Sequence, residues 1–330
     1  MANRPDLMII SDLHLRDDQP TCRMDDFWEV QIRKLKWINK EWKRLARPDI
    51  LCAGDVFHKA KPSPKLLTTA LEFLPGRLCR RGASGVDKLI YTIPGNHDLP
   101  NHNINQLNES GLAPLAVTER ISSLIKRPVH LYKNINEHHS ENVADIHPFP
   151  FGSKPLPLSE NLSSKDADKR RYVALAHLFT YKDRKPWADC KSPPCAKVLD
   201  LFRGYDLVIT GDNHQSFTHQ NKRKQLLVNP GCMSRQNLNE IDYKPSIYLW
   251  YAEENRVEQK EIPIEKNVFS DEHIKHQKER EKRECAFVES LSADYEVSLS
   301  FEENLKRFAE NNPDVPDSVM WRVWEAIKGE

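Results

Sequence analysis

Five times in this 330-residue chain a short apolar run stops and releases carboxylates, imidazoles or amides. "DLMIIS" (6–11) leads into Asp12 and His14, and "DILCAG" (49–54) into Asp55 and His58. "KLIYTIPG" (88–95) leads into Asn96, His97 and Asp98, "YVALA" (172–176) into His177, and "DLVITG" (206–211) into Asp212, Asn213 and His214. Continuous apolar runs bounded by Gly or polar residues suit strands covered on both faces. Between the first two lies "DDFWEVQIRKLKWINKEWKRLA" (25–46), with Phe27, Ile32, Leu35, Ile38, Trp42 and Leu45 at helical spacing. "PKLLTTALEFL" (64–74) behaves likewise, with Pro64 placed to open a helix. Strand, helix, strand, helix predicts an α/β layered core, in which ligands gather beyond the carboxyl ends of the strands. Segments far apart in sequence would then meet around one point.

Later the rhythm changes. "KQLLVN", "PSIYLWYA" and "RVEQKEIPI", within 224–264, read as successive strands with no long helix between them, which predicts a second sheet. After Pro263 come a charged helix over 271–291 and a helix over 300–312 opened by a Ser300/Glu303 capping box. A third helix, over 316–329, carries Val319, Trp321, Val323, Trp324 and Ile327. The expected organisation is a body over 1–264 and a small helical element over 265–330.

Apolar residues make up 39% of the chain and charged residues 29%, polar for a globular protein but enough to fill a core at this length. No apolar stretch approaches the ~20 residues of a membrane span. The start carries Asp6 and Asp12, unlike a secretory signal. The seven cysteines show no disulfide framework, and Cys190 and Cys195 have no second pair with which to hold a structural zinc. A reduced, cytoplasmic protein is expected. Residues 264–330 hold 10 Lys/Arg and 16 Asp/Glu and the preceding residues 39 and 32, so the front part is near +7 and the tail near −6. A partner rich in phosphates would prefer the front.

Each strand-end cluster alone has an ordinary alternative. Asp12-x-His14 and Gly211-Asp212-Asn213-His214 suit solvated turns, Gly95-Asn96 is a common turn dipeptide, and His177 beside Ala and Leu suits a hydrogen-bonded core histidine. The weight lies in the set and its order. "SDLHL", "GDVFH", "GNHD", "AH" and "GDNH" resemble the motif series of calcineurin-like metallophosphoesterases. That resemblance implies a four-layer fold of two sheets flanked by helices, holding two divalent metals at strand ends. More narrowly, "CAGDVFHKAKPSPKLL" (52–67) and "VNPGCMSRQN" (228–237) are similar to the nuclease subunits of the SbcD DNA-repair family, with Cys232 where that family has Ser.

The resemblance implies that Asp12, His14 and His214 bind the first metal, that Asp55 bridges both, and that Asn96 and His177 hold the second. It makes His97 the acid that protonates the leaving oxygen and sets His58 against the scissile phosphate. A bridging carboxylate is what two cations about 3.5–4 Å apart require. The family usually has Gly-His-x-His where this chain has Gly-Asp-Asn-His, so Asp212 replaces a histidine ligand of the second metal. A carboxylate can also ligate, and it would make the donor set harder, which predicts Mn²⁺, with Mg²⁺ or Fe²⁺ as alternatives, over Zn²⁺.

For function, the resemblance and the basic clusters at Lys59/Lys61, Lys169–Arg171, Lys182–Lys185 and Lys222–Lys224 predict a metal-dependent DNA exonuclease or endonuclease of repair or recombination. Lys59, Lys61 and Arg235 are the expected substrate contacts. A phosphodiesterase or phosphatase acting on nucleotides or phosphoproteins uses the same metal motifs, and a non-catalytic scaffold would draw support only from Asp212. Expected partners are DNA and, by the resemblance, an SMC-like ATPase subunit that the helical tail could dock; a homodimer is compatible, a membrane is not.

Overall fold

In the computed structural model, residues 4–75, 90–136, 139–158, 170–187 and 189–270 are described, and beyond them 272–273, 275–276, 279–280, 282–283, 301–316 and 319. Two six-stranded sheets form the body. The first contains β1 (Leu7–Ile10), β2 (Asp49–Cys52), β3 (Ile90–Thr92), β4 (Ile121–Ser123), β11 (Ser246–Tyr251) and β12 (Arg256–Glu261), in the order β12-β11-β1-β2-β3-β4. The second contains β5 (Val129–Asn136), β6 (His139–Phe149), β7 (Arg171–Ala176), β8 (Leu207–Thr210), β9 (Phe217–Gln220) and β10 (Leu226–Asn229), in the order β5-β6-β7-β8-β10-β9.

The apolar runs are continuous because each central strand is sandwiched. In β1, Leu7 and Ile9 face the space between the sheets, where they meet Val173 and Leu175 of β7, Leu207 and Ile209 of β8, and Trp250 of β11. Met8 and Ile10 face the other way, toward Leu35, Ile38 and Trp42 of α1 (Phe27–Arg44) and Leu66 and Ala70 of α2 (Pro64–Phe73). On the far side of the second sheet, Ala174 and Ala176 of β7 pack with Val198 and Leu199 of α4 (Cys195–Leu201). A short α3 (Leu112–Val117) adds Leu112 and Leu115 to the helical layer of the first sheet. The layers run helix, sheet, sheet, helix, as the resemblance implies. At roughly 1.5–3 kcal/mol per fully buried aliphatic side chain, these three apolar layers dominate what holds the body together.

Local signals start the helices. The Asp26 carboxylate accepts from Glu29 N–H at 3.1 Å and caps α1. Ser63 Oγ accepts from Leu66 N–H at 3.1 Å and caps α2, with Pro64 at its first turn.

The expectation for 224–264 needs correction. Of its three strands only β10 joins the second sheet, where it runs parallel to β8. β11 returns to the first sheet and pairs antiparallel with β1 (Leu7↔Trp250, Ile9↔Tyr248), with β12 outside it. All six residues of "SIYLWY" are buried, which suits a central position, whereas "RVEQKE" is mostly exposed and suits an edge.

The body extends to Ser270, and Asp271–Glu330 form a second unit. The body runs past residue 264 because Met24 N–H donates to Val268 O (2.9 Å) and Ser270 N–H to Cys22 O (3.0 Å). In the second unit the described residues between 272 and 283 are helical, and α5 spans Phe301–Asn311. Ser300, Trp321, Val323, Trp324 and Ile327 lie outside the described residues, and so do the cap and most of the last helix read from them. Among the described residues no helix is long and apolar enough to cross a membrane.

Candidate metal centre

Every expected ligand follows the carboxyl end of a strand. β1, β2 and β3 deliver Asp12, His14, Asp55 and Asn96 from the first sheet; β7 and β8 deliver His177, Asp212 and His214 from the second. The chain must turn sharply there. Asp12 (φ 48°), His14 (φ 43°), Asp55 (φ 53°) and Asp212 (φ 73°) all adopt the left-handed conformation, which costs a non-glycine residue about 1–3 kcal/mol. Hydrogen bonds between the loops offset that strain: Asp12 N–H to Gly54 O (3.1 Å), His14 N–H to Asp55 O (3.0 Å) and Asp212 N–H to Asp12 Oδ1 (3.1 Å). Gly54 (φ 100°) has no alternative, since a Cβ there would lie 2.6 Å from His177 Nδ1.

The side chains converge. Asp55 Oδ2 lies 3.5 Å from His14 Nε2 and 3.5 Å from His177 Nε2, so one carboxylate oxygen stands between two imidazoles. His14 Nε2 is 3.7 Å from Asp12 Oδ1 and 3.1 Å from His214 Nε2. His177 Nε2 is 2.8 Å from Asn96 Oδ1. Two donor triads join expected ligands, Asp12/His14/His214 and Asp12/Asp55/His177, and His14/His58/His97 and His214/Cys232/Glu240 are also close enough to hold an ion. His97 and His58 stand beside His14, with ring centroids 4.8 and 5.7 Å from it. The two are stacked 5.4 Å apart, and His97 Nδ1 donates to His58 O at 2.8 Å.

Protonation makes this a site for cations. His177 Nδ1 donates to Ala53 O (2.7 Å), which leaves a lone pair on Nε2 facing the Asn96 and Asp55 oxygens. His214 Nδ1 donates to Glu240 Oε1 (2.9 Å), which turns Nε2 toward His14 Nε2 at 3.1 Å; burial lowers its pKa, but Glu240 and then Asp12 outweigh that and raise it. Burial raises the Asp55 carboxyl well above its usual range, with Asp98 and Asp12 adding to the effect. Burial likewise raises Asp12, and drives the His14 imidazole well below its usual value. His14 Nδ1 is buried with no hydrogen-bond partner among the described residues. Lone pairs and carboxylates packed out of water lack only positive charge. Oxygen and imidazole donors of this kind fit divalent first-row ions or Mg²⁺; the Cys232 thiol lies beside His214 and Glu240, and burial raises its pKa well above the usual value.

Residues 6–216, which contain all these donors, match the sequence model of the calcineurin-like phosphoesterases. The chain belongs to that family. It is a metal-dependent phosphoesterase with a centre suited to divalent ions. No match was found among curated proteins. Among solved structures, the protein TT1561 of Thermus thermophilus is 11% identical, with 79% of this chain and 100% of that chain covered at a TM-score of 0.45. The calcineurin-like phosphoesterase YfkN from Bacillus subtilis is 12% identical (80% and 92% covered, TM-score 0.43). A dimetal phosphatase from Danio rerio is also 12% identical (78% and 96% covered, TM-score 0.44).

Not every expected site residue of this phosphoesterase sits alike. Asp212 reaches the cluster through its backbone N–H; its half-buried carboxylate adds charge that raises Asp12 and Asp55 but belongs to neither donor triad. Lys59 and Lys61 are exposed, near Asp18 (3.9 Å) and Glu109 (3.5 Å). Arg235 corrects the expectation of a substrate contact. Its side chain is buried, donates to the carbonyls of Ile241 and Glu265, and lies over the Phe269 ring, so it fastens the end of the body. The Arg171 guanidinium is similarly committed, to Asp206 and Ala252 O, and Lys169 lies outside the described residues.

Three supporting residues carried no role in the sequence reading. Asp98 is buried and accepts from the N–H groups of Gly95 (3.1 Å), Phe57 (3.2 Å) and Val56 (3.3 Å), tying the second loop to the third. Asn229 Nδ2 donates to Asn213 O (2.7 Å) and Gln215 O (2.6 Å), so the "VNPGCM" segment clamps the loop that bears His214. Glu240 holds His214 itself, and accepts from Gln236 N–H and Asn237 N–H. Its only sequence signal is the Asn237/Glu240 capping box of a short helical turn. A carboxylate behind a ligating histidine fixes its tautomer and raises its basicity. Glu240→Ala should therefore weaken Mn²⁺ binding by roughly 10–100-fold in a calorimetric titration, with partial recovery in Glu240→Gln. Unchanged affinity in Glu240→Ala would refute this role.

Proposed function

We propose that this phosphoesterase is a two-metal-dependent phosphodiesterase acting on DNA, an exonuclease or endonuclease of the SbcD-like kind. The observation that carries the dinuclear part is the position of Asp55 Oδ2, 3.5 Å from both His14 Nε2 and His177 Nε2. That is where a bridging carboxylate belongs, with Asp12, His14 and His214 on one side and Asn96 and His177 on the other. Bound divalent ions would polarise the phosphoryl oxygens and lower the pKa of water to supply the nucleophile. His97, its Nδ1 committed to His58 O, presents Nε2 to the leaving oxygen as the acid. His58 is kept neutral near pH 7, since burial first and then Arg16 push its pKa down to about 4, and it can donate one hydrogen bond to the phosphate. Asp212 lends charge to the second position, and Mn²⁺ is the ion we assign.

DNA as substrate is supported by the "GDVFHKAKPSP" segment and by exposed lysines along it, Lys59 and Lys61. The helical tail is compatible with docking to an SMC-like ATPase. The test is cleavage of end-labelled single- and double-stranded DNA with Mn²⁺. Chelation should abolish cutting, and Mn²⁺ should restore it better than Zn²⁺. Raising salt from 50 to 200 mM should slow cutting under subsaturating conditions by about 40-fold if three phosphates are contacted. Turnover of a small phosphodiester with no cutting of DNA would move the substrate to nucleotides or phosphoproteins.

A further inference from the structure

The segment after His177 combines features that the metal centre does not use. The described residues 182–187 and 189–194 belong to a loop whose neck is pinned by Thr180 Oγ1 to Pro193 O (2.8 Å), by Cys195 N–H to Tyr181 O (2.8 Å) and by a bridge between Tyr181 and Pro194. The neck is fastened to the site, since Asn213, which lies between Asp212 and His214, donates from Nδ2 to Thr180 O at 2.6 Å. Beyond the neck, Lys182, Asp183, Arg184, Lys185, Pro186 and Trp187 are all exposed. Trp187 is 54% exposed, yet its ring is not loose: it leans on Phe179, centroids 5.3 Å apart at 56°. Phe179 is two residues past His177. Among the described residues, Lys182, Arg184 and Lys185 have no carboxylate partner.

We infer that this loop is a stacking and phosphate-gripping platform for an unpaired nucleotide of the DNA strand that enters the metal centre. The inference rests on the reading of DNA as substrate and adds how the strand is held. A polynucleotide is the phosphoester that offers a flat aromatic base one sugar away from each phosphate. Three exposed cations, with Asp183 between the first two, stand within five residues of one supported, exposed indole on a loop tethered to a phosphoester site, and this surface is complementary to it in both respects. Phe179 fixes the Trp187 ring from one side, so a base meets a preorganised face. Stacking is indifferent to base identity, so the platform should favour unpaired strands without reading sequence. A peptide or a lipid surface would meet the cations but has no recurring planar group for the indole.

The experiment measures binding of a fluorescein-labelled thymidine 12-mer by anisotropy. It uses the full chain loaded with Mn²⁺ and carrying His97→Ala so that the strand survives. Adding Trp187→Ala should weaken binding by roughly 5- to 150-fold, the range for one lost base–aromatic stack, and Trp187→Phe should retain most of the affinity. An oligomer with abasic positions near its end should bind the Trp187-containing chain about as weakly as the Trp187→Ala chain binds the intact strand. It should lose little further in that variant. With His97 in place, Trp187→Ala should leave hydrolysis of bis(p-nitrophenyl) phosphate unchanged. Tight binding that ignores both Trp187→Ala and the abasic positions would overturn the platform and leave DNA as substrate. No binding and no cutting of DNA by the native chain would remove the substrate reading and the platform with it.

Discussion

Asp55→Asn should abolish phosphodiester hydrolysis and at the same time raise the melting temperature of the metal-free protein. The loss follows from the role assigned to Asp55. Its Oδ2 lies between His14 and His177, and a neutral amide cannot bridge two cations. Removing several kcal/mol of charge stabilisation from the transition state corresponds to a fall of about 10³-fold or more. The gain follows from burial. The folded protein raises the Asp55 carboxyl well above the unfolded value of 3.8, through burial first and then Asp98 and Asp12. A carboxyl raised in this way contributes stability only below the unfolded value and loses it as pH rises through the folded one. At pH 7–8 with chelator, well above the unfolded value, the native protein therefore carries the cost of holding this carboxyl in the fold, and Asp55→Asn does not. Its amide can also donate toward the imidazole lone pairs. A gain of about 1–3 kcal/mol is expected, at roughly 2–4 °C per kcal/mol. Mn²⁺ should reverse the order, since binding at 100 times Kd adds about 2.7 kcal/mol to the native chain. A chelated Asp55→Asn protein that melts below the native one would contradict this account, as would retained hydrolysis.

His97→Ala should separate two substrates by their leaving groups. The ring is half-buried, Nδ1 is committed to His58 O at 2.8 Å, and the His97 backbone N–H donates to Asp55 Oδ1 at 2.9 Å. Its backbone steadies Asp55 and, in the proposed reaction, its ring serves the substrate; alanine removes only the second function. A sugar oxygen leaving from DNA needs a proton, and a positioned acid is worth about 10²–10⁴-fold. A p-nitrophenolate needs none. DNA cleavage should fall by that factor while bis(p-nitrophenyl) phosphate turnover falls less than about tenfold. Equal losses with both substrates would mean that His97 acts on the metal centre instead.

Much of this was legible in the chain because the chemistry sits where strands end. A strand buried on both faces is a continuous apolar run, and the polar residue that ends it is conspicuous; Asp12, Asp55 and His177 stood out for that reason. Side-chain donors spaced one or two residues apart also leave a short-range pattern. What escaped were contacts made across long sequence separations. Glu240 meets His214 over 26 residues from a turn that reads as a helix start. Asn229 sits in a segment whose Arg235 looked like a phosphate contact but is spent on carbonyls. Sheet membership over 224–264 is not legible in the sequence, because a run of strands carries no mark of its neighbours. Only the burial of "SIYLWY" on both faces and the exposure of "RVEQKE" separate the centre of a sheet from its edge.

The order of the donors along the chain has a consequence for synthesis. β1, which carries Asp12 and His14 into place, is flanked on one side by β11, residues Ser246–Tyr251, and His214 is steadied by Glu240. A chain lacking those residues would pair its first strand with β2 alone and leave its last imidazole without the Glu240 carboxylate. Early fragments would therefore carry the conspicuous motifs without the contacts that seat them.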